Sequence, residues 1–401
     1  MKFNDKLLAQ MRAATRSLTG KGPQAATAAI QNALKILSPT PDTSAAQAPP
    51  MRDINPAPGH ARQDSASPPE QPAPQAFNAM QGVDDALASM MAKLQGGSGL
   101  SGKFAGMKMP DFDLPGKRKV VNNLPGKFID ASFSNAAGKR SYKLYIPSSY
   151  TGQAVPLVVM LHGCTQDPDD FASGTQMNEL AEEMQCLVVY PAQSQQANSS
   201  RCWNWFNAID QQRGQGEPSI IAGITEEVMR DYAVESSEVY VAGLSAGGAM
   251  ATIMGTLYPE LYAAVGVHSG LPFASAHDLP SALAAMKGNF GRAKPAGKAI
   301  PIIVFHGDKD TMVHPANGAE LIKQGVRQVG QEIKVEPGRV PDGHAYTRTV
   351  HHRADGATHA EHWNIHGAGH AWSGGSANGS YTDGKGPDAS REMMRFFQTK
   401  R

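Results

Sequence analysis

The sequence has no apolar run that approaches 18 residues, so we expect no transmembrane helix. Residues 1–12 also lack the continuous apolar core of a secretory signal, which predicts a cytoplasmic location. An excess of charge is missing as well, because 37 Lys and Arg are balanced by 36 Asp and Glu and leave a net charge of +1. This balance gives no support for nucleic acid as a partner.

Cysteine is scarce in this chain, which has only Cys164, Cys186 and Cys202. Three cysteines permit at most one internal disulfide and leave one thiol over. No Cys-x-x-Cys pair occurs, so the sequence has no such signature of a zinc site or of a redox dithiol.

Aromatic side chains are almost absent from the N-terminal part of the chain. Between Phe3 and Lys103 the only one is Phe77, which is too little for an independent core. Ten of the 28 prolines lie between Pro39 and Pro74. Residues 1–110 are therefore predicted to be an N-terminal extension with a largely disordered, Pro- and Ala-rich linker.

Two apolar stripes flank this linker at helical spacing. The stripes consist of Phe3, Leu7, Met11, Ala14 and Leu18, and of Met80, Val83, Leu87, Met91 and Leu94. Both predict short amphipathic helices. Their apolar faces could dock on the rest of the protein, which is the default, or contact a second subunit, a granule or a membrane surface.

Residues 111–401 have the pattern of one folded domain with alternating strands and helices. Buried strands are predicted at 156–161, 186–190, 239–242, 263–268 and 300–305. Helices are predicted at 178–184, 220–232, 317–329 and 389–399, and hairpins at 127–146 and 346–365. This order predicts an α/β fold with a mostly parallel, doubly wound sheet flanked by helices.

The segment from Gly243 to Gly247 reads Gly-Leu-Ser-Ala-Gly and lies between a predicted strand and a predicted helix. A serine at the tip of such a sharp strand-to-helix turn is typical of a nucleophile elbow. The two glycines matter because a side chain at either place would crowd the turn. Ser245 is therefore the candidate nucleophile.

A serine nucleophile needs a histidine base and a carboxylate that orients it, and in this fold the order is Ser, acid, His. The strand at 300–305 is followed by two carboxylates, Asp308 and Asp310. Asp308 directly follows a turn glycine, where capping of the turn is its expected use. Asp310 lies two residues further along the loop, so we predict Asp310 as the acid.

The histidine base must be chosen from a cluster of seven histidines between His344 and His370. His362, His366 and His370 are spaced by four, which on a helix would suggest metal ligands. Glycines at 367 and 369 break any such helix, and the preceding residues alternate like a strand. We therefore predict no metal site and take His370, on a flexible loop after the last strand, as the base.

Acyl transfer also needs two N–H donors for the oxyanion. One is predicted to be the backbone N–H of Ala246, which follows the nucleophile. The other is predicted to be the N–H of Cys164, in the loop that follows the strand at 156–161.

Several motifs in this order resemble the poly(3-hydroxybutyrate) depolymerase family of esterases, which are α/β-hydrolases related to feruloyl and acetylxylan esterases. The motifs are Met-Leu-His-Gly-Cys-Thr-Gln at 160–166, Tyr-Pro-Ala-Gln at 190–193, Cys-Trp-Asn-Trp-Phe at 202–206, the elbow, and the segments 306–313 and 369–372. The resemblance covers about residue 115 to the C-terminus and implies Ser245, Asp310 and His370 as the triad.

The resemblance also carries implications for the surroundings of the triad. It implies a disulfide between Cys164 and Cys202, and it implies Trp203, Trp205 and Trp372 as candidate residues of the substrate cleft. For Trp203 and Trp205 the alternative is ordinary packing under a long loop. Secreted family members have a signal peptide, so an extracellular location is the alternative to the cytoplasmic one.

The leading interpretation is a serine carboxylic ester hydrolase that acts through an acyl-enzyme on poly(3-hydroxybutyrate) or related hydroxyalkanoate esters, with no metal or organic cofactor. One alternative keeps the triad but changes the substrate to a feruloyl or acetyl ester of polysaccharide. Another alternative is a granule- or membrane-surface protein in which the hydrolase domain is incidental.

Overall fold

The computed structural model describes residues 124–290, 299–327 and 332–400. The predicted N-terminal helices and the linker lie outside the described residues, as does the boundary near residue 110. Their contacts with a granule, a membrane surface or a second subunit therefore stay predictions.

The described part of the chain is organised around a ten-stranded sheet with the order β1-β2-β4-β3-β5-β6-β7-β10-β9-β8. Its strands are β1 (Lys127–Asn135), β2 (Gly138–Ile146), β3 (Val155–Leu161), β4 (Leu187–Pro191), β5 (Val234–Leu244), β6 (Ala264–His268), β7 (Ile302–Gly307), β8 (Glu332–Arg339), β9 (Ala345–His352) and β10 (Thr358–Ile365). The six strands from β4 to β10 in that order pair in parallel, and the outer strands at both ends pair antiparallel. A mostly parallel sheet is thus confirmed.

Helices cover both faces of the sheet. They are α1 (Pro168–Thr175), α2 (Met177–Met184), α3 (Gly216–Asp231), α4 (Ala246–Leu257), α5 (Leu279–Met286), α6 (Ala316–Gly325) and α7 (Ala389–Gln398). Side chains of α3 to α6 pack in one core cluster, and those of α1, α2 and α7 pack in a second. In β3, Val159 belongs to the first cluster and Val158 to the second, because successive side chains of a strand point to opposite faces.

Several elements in the structure differ from the sequence prediction. The helices α1 and α5, the edge strand β8 and the two-residue strands β11 (Trp372–Ser373) and β12 (Thr382–Asp383) were not predicted. Both helices are short and have Asp at the N-cap followed by Pro in the first turn. Their eight residues carry too little apolar periodicity for a sequence pattern to indicate a helix.

The carboxyl ends of the parallel strands lie at one edge of the sheet, and the candidate residues follow them. Cys164 follows β3, Ser245 follows β5, Asp310 follows β7 and His370 follows β10. Ligands of open α/β sheets bind at this edge. Within the described ranges, no helix has both the length and the apolar character required to cross a membrane.

Candidate active site

Ser245 lies at the tip of a sharp turn between β5 and α4. Its backbone has φ 57° and ψ −118°, a conformation that residues with a side chain rarely adopt. The N–H of Ser245 donates to the carbonyl oxygen of His268 at 2.9 Å, which fixes the turn to the end of β6. The hydrogen bond to the neighbouring strand therefore stabilises the strained conformation of Ser245. In this conformation Ser245 projects from the edge of the sheet.

The two glycines of the elbow have no room for a side chain. A Cβ at Gly243 would overlap the backbone of Gly247, and a Cβ at Gly247 would overlap the carbonyl oxygen of Leu161. The spacing Gly-x-Ser-x-Gly therefore reflects the close approach of α4 to β5 and β3.

The structure brings His370 and Asp310 together across 60 positions of sequence. His370 Nδ1 lies 2.7 Å from Asp310 Oδ2, and both side chains are almost fully buried. A carboxylate can only accept, so Nδ1 carries the proton and Nε2 is the nitrogen that can take a proton from a hydroxyl. This is the tautomer that a general base requires.

The Asp310 carboxylate is held by several donors besides His370. Its Oδ1 accepts from the amides of Met312 and Val313 at 2.9 and 2.8 Å. The Nε2 of His306 lies 3.4 Å from its Oδ2 and also 2.7 Å from the carbonyl oxygen of Val313. Burial alone would raise the pKa of Asp310, but the imidazoles of His370 and His306 hold it well below its usual range. Asp310 is therefore ionised at neutral pH.

Asp308, the second carboxylate after β7, has a different set of contacts. Its Oδ1 accepts from the amide of Gly367 at 2.7 Å, and its Oδ2 lies 3.1 Å from Nδ1 of His366. Asp308 thus holds the start of the loop that carries His370. It contacts the loop rather than the His370 imidazole itself.

The loop after β3 carries the predicted oxyanion donor, the amide of Cys164. The amides of Gly163, Thr165 and Gln166 all have acceptors within 3.4 Å, whereas none is found for Cys164 among the described residues. Ala246 is the first residue of α4, so its N–H has no partner within the helix. Cys164, Ser245 and Ala246 line the same cavity. The arrangement offers two amide donors beside the Ser245 hydroxyl.

His162 holds the loop after β3 through two hydrogen bonds of its buried ring. Its Nε2 accepts from the amide of Gln193 at 3.1 Å, so its Nδ1 donates to the carbonyl oxygen of Gly163 at 2.7 Å. Complete burial lowers the pKa of His162 to about 4, which keeps the ring neutral and allows both bonds. His162 thus has a structural role in tying the β3 loop to the β4 loop.

Cys164 and Cys202 form a disulfide that joins the β3 loop to the loop after β4. The third cysteine, Cys186, is a buried free thiol, and burial raises its pKa to about 12. The second loop is further anchored by Glu217, whose carboxylate accepts from the amide and the side chain of Asn204 at 2.7 and 2.8 Å. Glu217 also forms a buried ion pair of 3.2 Å with Arg140.

A cavity opens directly beside Ser245 and has an empty volume of about 520 Å³ including its open mouth. Two polar side chains, those of Ser245 and Asn198, line this cavity. The rest of its wall consists of the disulfide and of apolar side chains. The apolar part consists of Trp205, Phe206, Ala246, Leu271, Leu279, Ala282, Leu283, Met286 and Val313. This apolar lining suits an apolar group of a small ligand.

The structure corrects two of the three predicted cleft tryptophans. Trp205 lines the cavity, but Trp203 and Trp372 are fully buried. The Trp203 ring lies 5.7 Å from that of His162, and Trp372 donates its Nε1 to Ser390 Oγ at 3.0 Å. Both tryptophans thus support the loops of the site from within the core and do not line the cavity.

The other histidines of the C-terminal cluster have separate places in the structure. His366 Nε2 lies 2.9 Å from Thr347 Oγ1 and its Nδ1 faces Asp308, whereas His362 is on β10 beneath α6. His362, His366 and His370 therefore do not converge on one point.

Sequence reasoning missed His268, which connects the two halves of the site. Its carbonyl oxygen holds the Ser245 amide, and its Nε2 accepts from the amide of Ser373 at 3.0 Å, three residues after His370. Its ring stacks between Phe305 and Trp372, and burial lowers its pKa to about 3. A neutral, stacked His268 therefore fixes the elbow relative to the loop of the base. No local motif marks this position.

Comparison with known proteins identifies relatives of this chain. Residues 140–339 match the family described as Esterase PHB depolymerase. The chain is 32% identical over 254 residues to poly(3-hydroxyalkanoate) depolymerase C of Paucimonas lemoignei. The aligned region covers 60% of this chain and 60% of the depolymerase. It is also 29% identical over 217 residues to feruloyl esterase B of Thermothelomyces thermophilus. That aligned region covers 49% of this chain and 73% of the esterase.

Solved structures agree on the fold. The acetyl xylan esterase from Aspergillus awamori superposes with a TM-score of 0.54 and is 21% identical, covering 68% of this chain and 99% of the esterase. At this identity the likeness bears on the fold alone, which is that of an α/β-hydrolase. Sequence family, sheet topology and the elbow agree, and this chain belongs to the esterase PHB depolymerase family.

Proposed function

We propose that this protein is a serine carboxylic ester hydrolase that works through an acyl-enzyme. The observation that carries the proposal is the arrangement at one edge of the sheet. The strained Ser245 lies there beside the amides of Ala246 and Cys164, and His370 is held by the buried carboxylate of Asp310.

The reaction follows from the chemistry of these groups. Ser245 Oγ attacks the ester carbonyl carbon while His370 Nε2 takes the hydroxyl proton, and the two amides hold the oxyanion that forms. The tetrahedral intermediate collapses to an acyl-Ser245, and His370 gives its proton to the leaving alcohol. Water then attacks the acyl-enzyme with His370 as base and releases the acid. Asp310 stays ionised and stabilises the imidazolium in both halves.

The cavity beside Ser245 is the proposed binding site for an apolar acyl group of the substrate. Its wall has no charged side chain. We propose poly(3-hydroxybutyrate) or related hydroxyalkanoate esters as substrates, and the depolymerase among the relatives supports this choice. The aromatic side chains of Trp205 and Phe206 favour a second candidate, a feruloyl ester, because their rings could pack on an aromatic acyl group.

A substrate panel separates these candidates. We expect the purified protein to hydrolyse 3-hydroxybutyrate oligomers with a kcat/KM at least about tenfold above that for methyl ferulate, a difference of about 1.4 kcal/mol in transition-state binding. Release of hydroxybutyrate and of ferulate is measured by chromatography. A preference for methyl ferulate or for acetylated xylan would instead support the polysaccharide-esterase alternative.

Opening the disulfide is expected to lower activity, because Cys164 contributes both a sulfur to the bridge and an amide to the site. We expect the Cys164→Ser/Cys202→Ser variant to lose about tenfold to a hundredfold in kcat, since complete loss of one oxyanion donor costs about 10² to 10³. Hydrolysis of p-nitrophenyl butyrate is measured with and without dithiothreitol.

Cys186→Ala serves as the matched control, because its thiol is buried away from the bridge. The control is expected to keep its kcat and its response to the reductant. An unchanged kcat in the double serine variant would show that the bridge does not position the Cys164 amide. Because disulfides persist in oxidising compartments, the bond also supports an extracellular location for the catalytic domain.

A further inference from the structure

Tyr381 is an exposed aromatic side chain that is tied to the loop of the candidate oxyanion donor. Its side chain is among the few large apolar ones on the described surface, with 46% of the residue exposed. Its Oη lies 3.2 Å from Thr165 Oγ1, and Thr165 is the residue after Cys164. An exposed tyrosine whose hydroxyl is held in this way presents one face of its ring in a defined place.

The direction of this hydrogen bond follows from the neighbouring one. Thr165 Oγ1 donates its single proton to the carbonyl oxygen of Cys164 at 2.6 Å. Its lone pairs remain as acceptors, so the Tyr381 hydroxyl is the donor. The two hydrogen bonds thus connect Tyr381 through Thr165 to the carbonyl oxygen of Cys164.

The backbone of Tyr381 is tied to the other side of the site. Its carbonyl oxygen accepts from the amide of Trp372 at 2.7 Å, next to the two-stranded pairing of β11 with β12. Trp372 lies two residues after His370. Tyr381 has φ 52° and Thr165 has φ 67°, so both positions have backbone conformations that favour glycine. Such strain persists only where the surroundings support it, and it is common at functional sites.

The chemistry of ester hydrolysis indicates which part of the substrate would lie near Tyr381. His370 protonates the leaving alcohol, so the alcohol part of the substrate must lie on the His370 side of Ser245. The acyl part has the cavity with Trp205 and Met286 on its wall, and Tyr381 does not line that cavity. Tyr381 instead lies between the loop of Cys164 and the loop of His370, at the solvent side.

We propose that the Tyr381 ring binds the alcohol part of the ester and thereby selects substrates with a large or chain-like leaving group. The inference rests on the proposed esterase function and names a residue that determines its specificity. For a polymeric substrate, the alcohol part is the next unit of the chain, and the Tyr381 ring would pack on that unit.

The test compares two esters that share one acyl group, methyl butyrate and benzyl butyrate. We expect Tyr381→Ala to lower kcat/KM for benzyl butyrate about tenfold, mainly through KM, as removal of a well-placed aromatic contact does. Methyl butyrate is expected to change by less than about twofold, because its alcohol does not reach the ring. Tyr381→Phe keeps the ring and is expected to retain the preference for benzyl butyrate within about threefold.

Ile333→Ala is the matched control, because Ile333 is 54% exposed on the edge strand β8. It is expected to leave both esters unchanged. Equal losses on both esters in Tyr381→Ala, or no loss on either, would overturn the inference. A wild-type protein that hydrolyses neither ester, or a Ser245→Ala variant that still hydrolyses both, would overturn the proposed function itself and the inference with it.

Discussion

Replacing Ser245 with alanine is expected to lower kcat for p-nitrophenyl butyrate by about 10⁵- to 10⁶-fold, as loss of the nucleophile does in other serine hydrolases. The alanine keeps the elbow but removes the oxygen that forms the acyl-enzyme. Residual hydrolysis would come from water bound beside the amides of Cys164 and Ala246. The rate is followed by release of p-nitrophenol, and the fold is checked by circular dichroism.

Ser237→Ala is the control for this variant. Ser237 is an exposed residue of the same strand, near its opposite end from Ser245. We expect the control to change kcat by less than about twofold, because surface substitutions away from a site are nearly neutral. Turnover by Ser245→Ala close to that of Ser237→Ala would exclude Ser245 as the nucleophile.

Replacing Asp310 with asparagine is expected to lower kcat by about 10⁴-fold. The amide of asparagine can present N–H to the ring where Asp310 presents only acceptors, so the His370 tautomer with a proton on Nε2 becomes favoured. That tautomer cannot take the proton of Ser245. The loss is expected in kcat more than in KM, because the imidazolium forms only on the way to the transition state.

Asp308→Asn makes the comparison specific. Asp308 holds Gly367 and His366 rather than the His370 ring, so a loosened loop should cost less than about tenfold in kcat. Measuring both variants on the same substrate decides which carboxylate orients the base. Equal losses, or a larger loss in Asp308→Asn, would contradict the assignment of Asp310.

Short motifs in the sequence mark the candidate residues that the structure brings to one edge of the sheet, and their catalytic roles stay predictions. The glycines around Ser245 are required by close backbone contacts, and the strand before them is a continuous apolar run. Asp310 could be ranked above Asp308 because a carboxylate that directly follows a turn glycine tends to cap that turn. The structure places Asp308 on the amide of Gly367 and Asp310 on the imidazole of His370.

The cavity could not be predicted, because its wall is assembled from elements far apart in the chain. The helix α5 supplies Leu279, Leu283 and Met286, but nothing in its eight residues shows which way the helix faces. The contact between Thr165 and Tyr381 likewise joins residues 216 positions apart. Such contacts depend on how loops cross over the sheet, which local patterns do not encode.

The tryptophans show a related limit. Trp203 and Trp205 are two residues apart in one loop, yet Trp203 packs on His162 in the core while Trp205 lines the cavity. The residue type and the motif are the same for both. Only the path of the loop, which is held by Glu217 and the disulfide, decides which ring is inside.

The most direct test of the acyl-enzyme mechanism is the mass of the protein after reaction with a phosphonate ester that mimics the tetrahedral intermediate. We predict one phosphonyl group per chain, located on Ser245 by peptide mapping, together with complete loss of hydrolysis. The Ser245→Ala variant should take up none. A phosphonyl group on another residue, or full labelling that leaves hydrolysis intact, would contradict the assignment of Ser245 as the nucleophile.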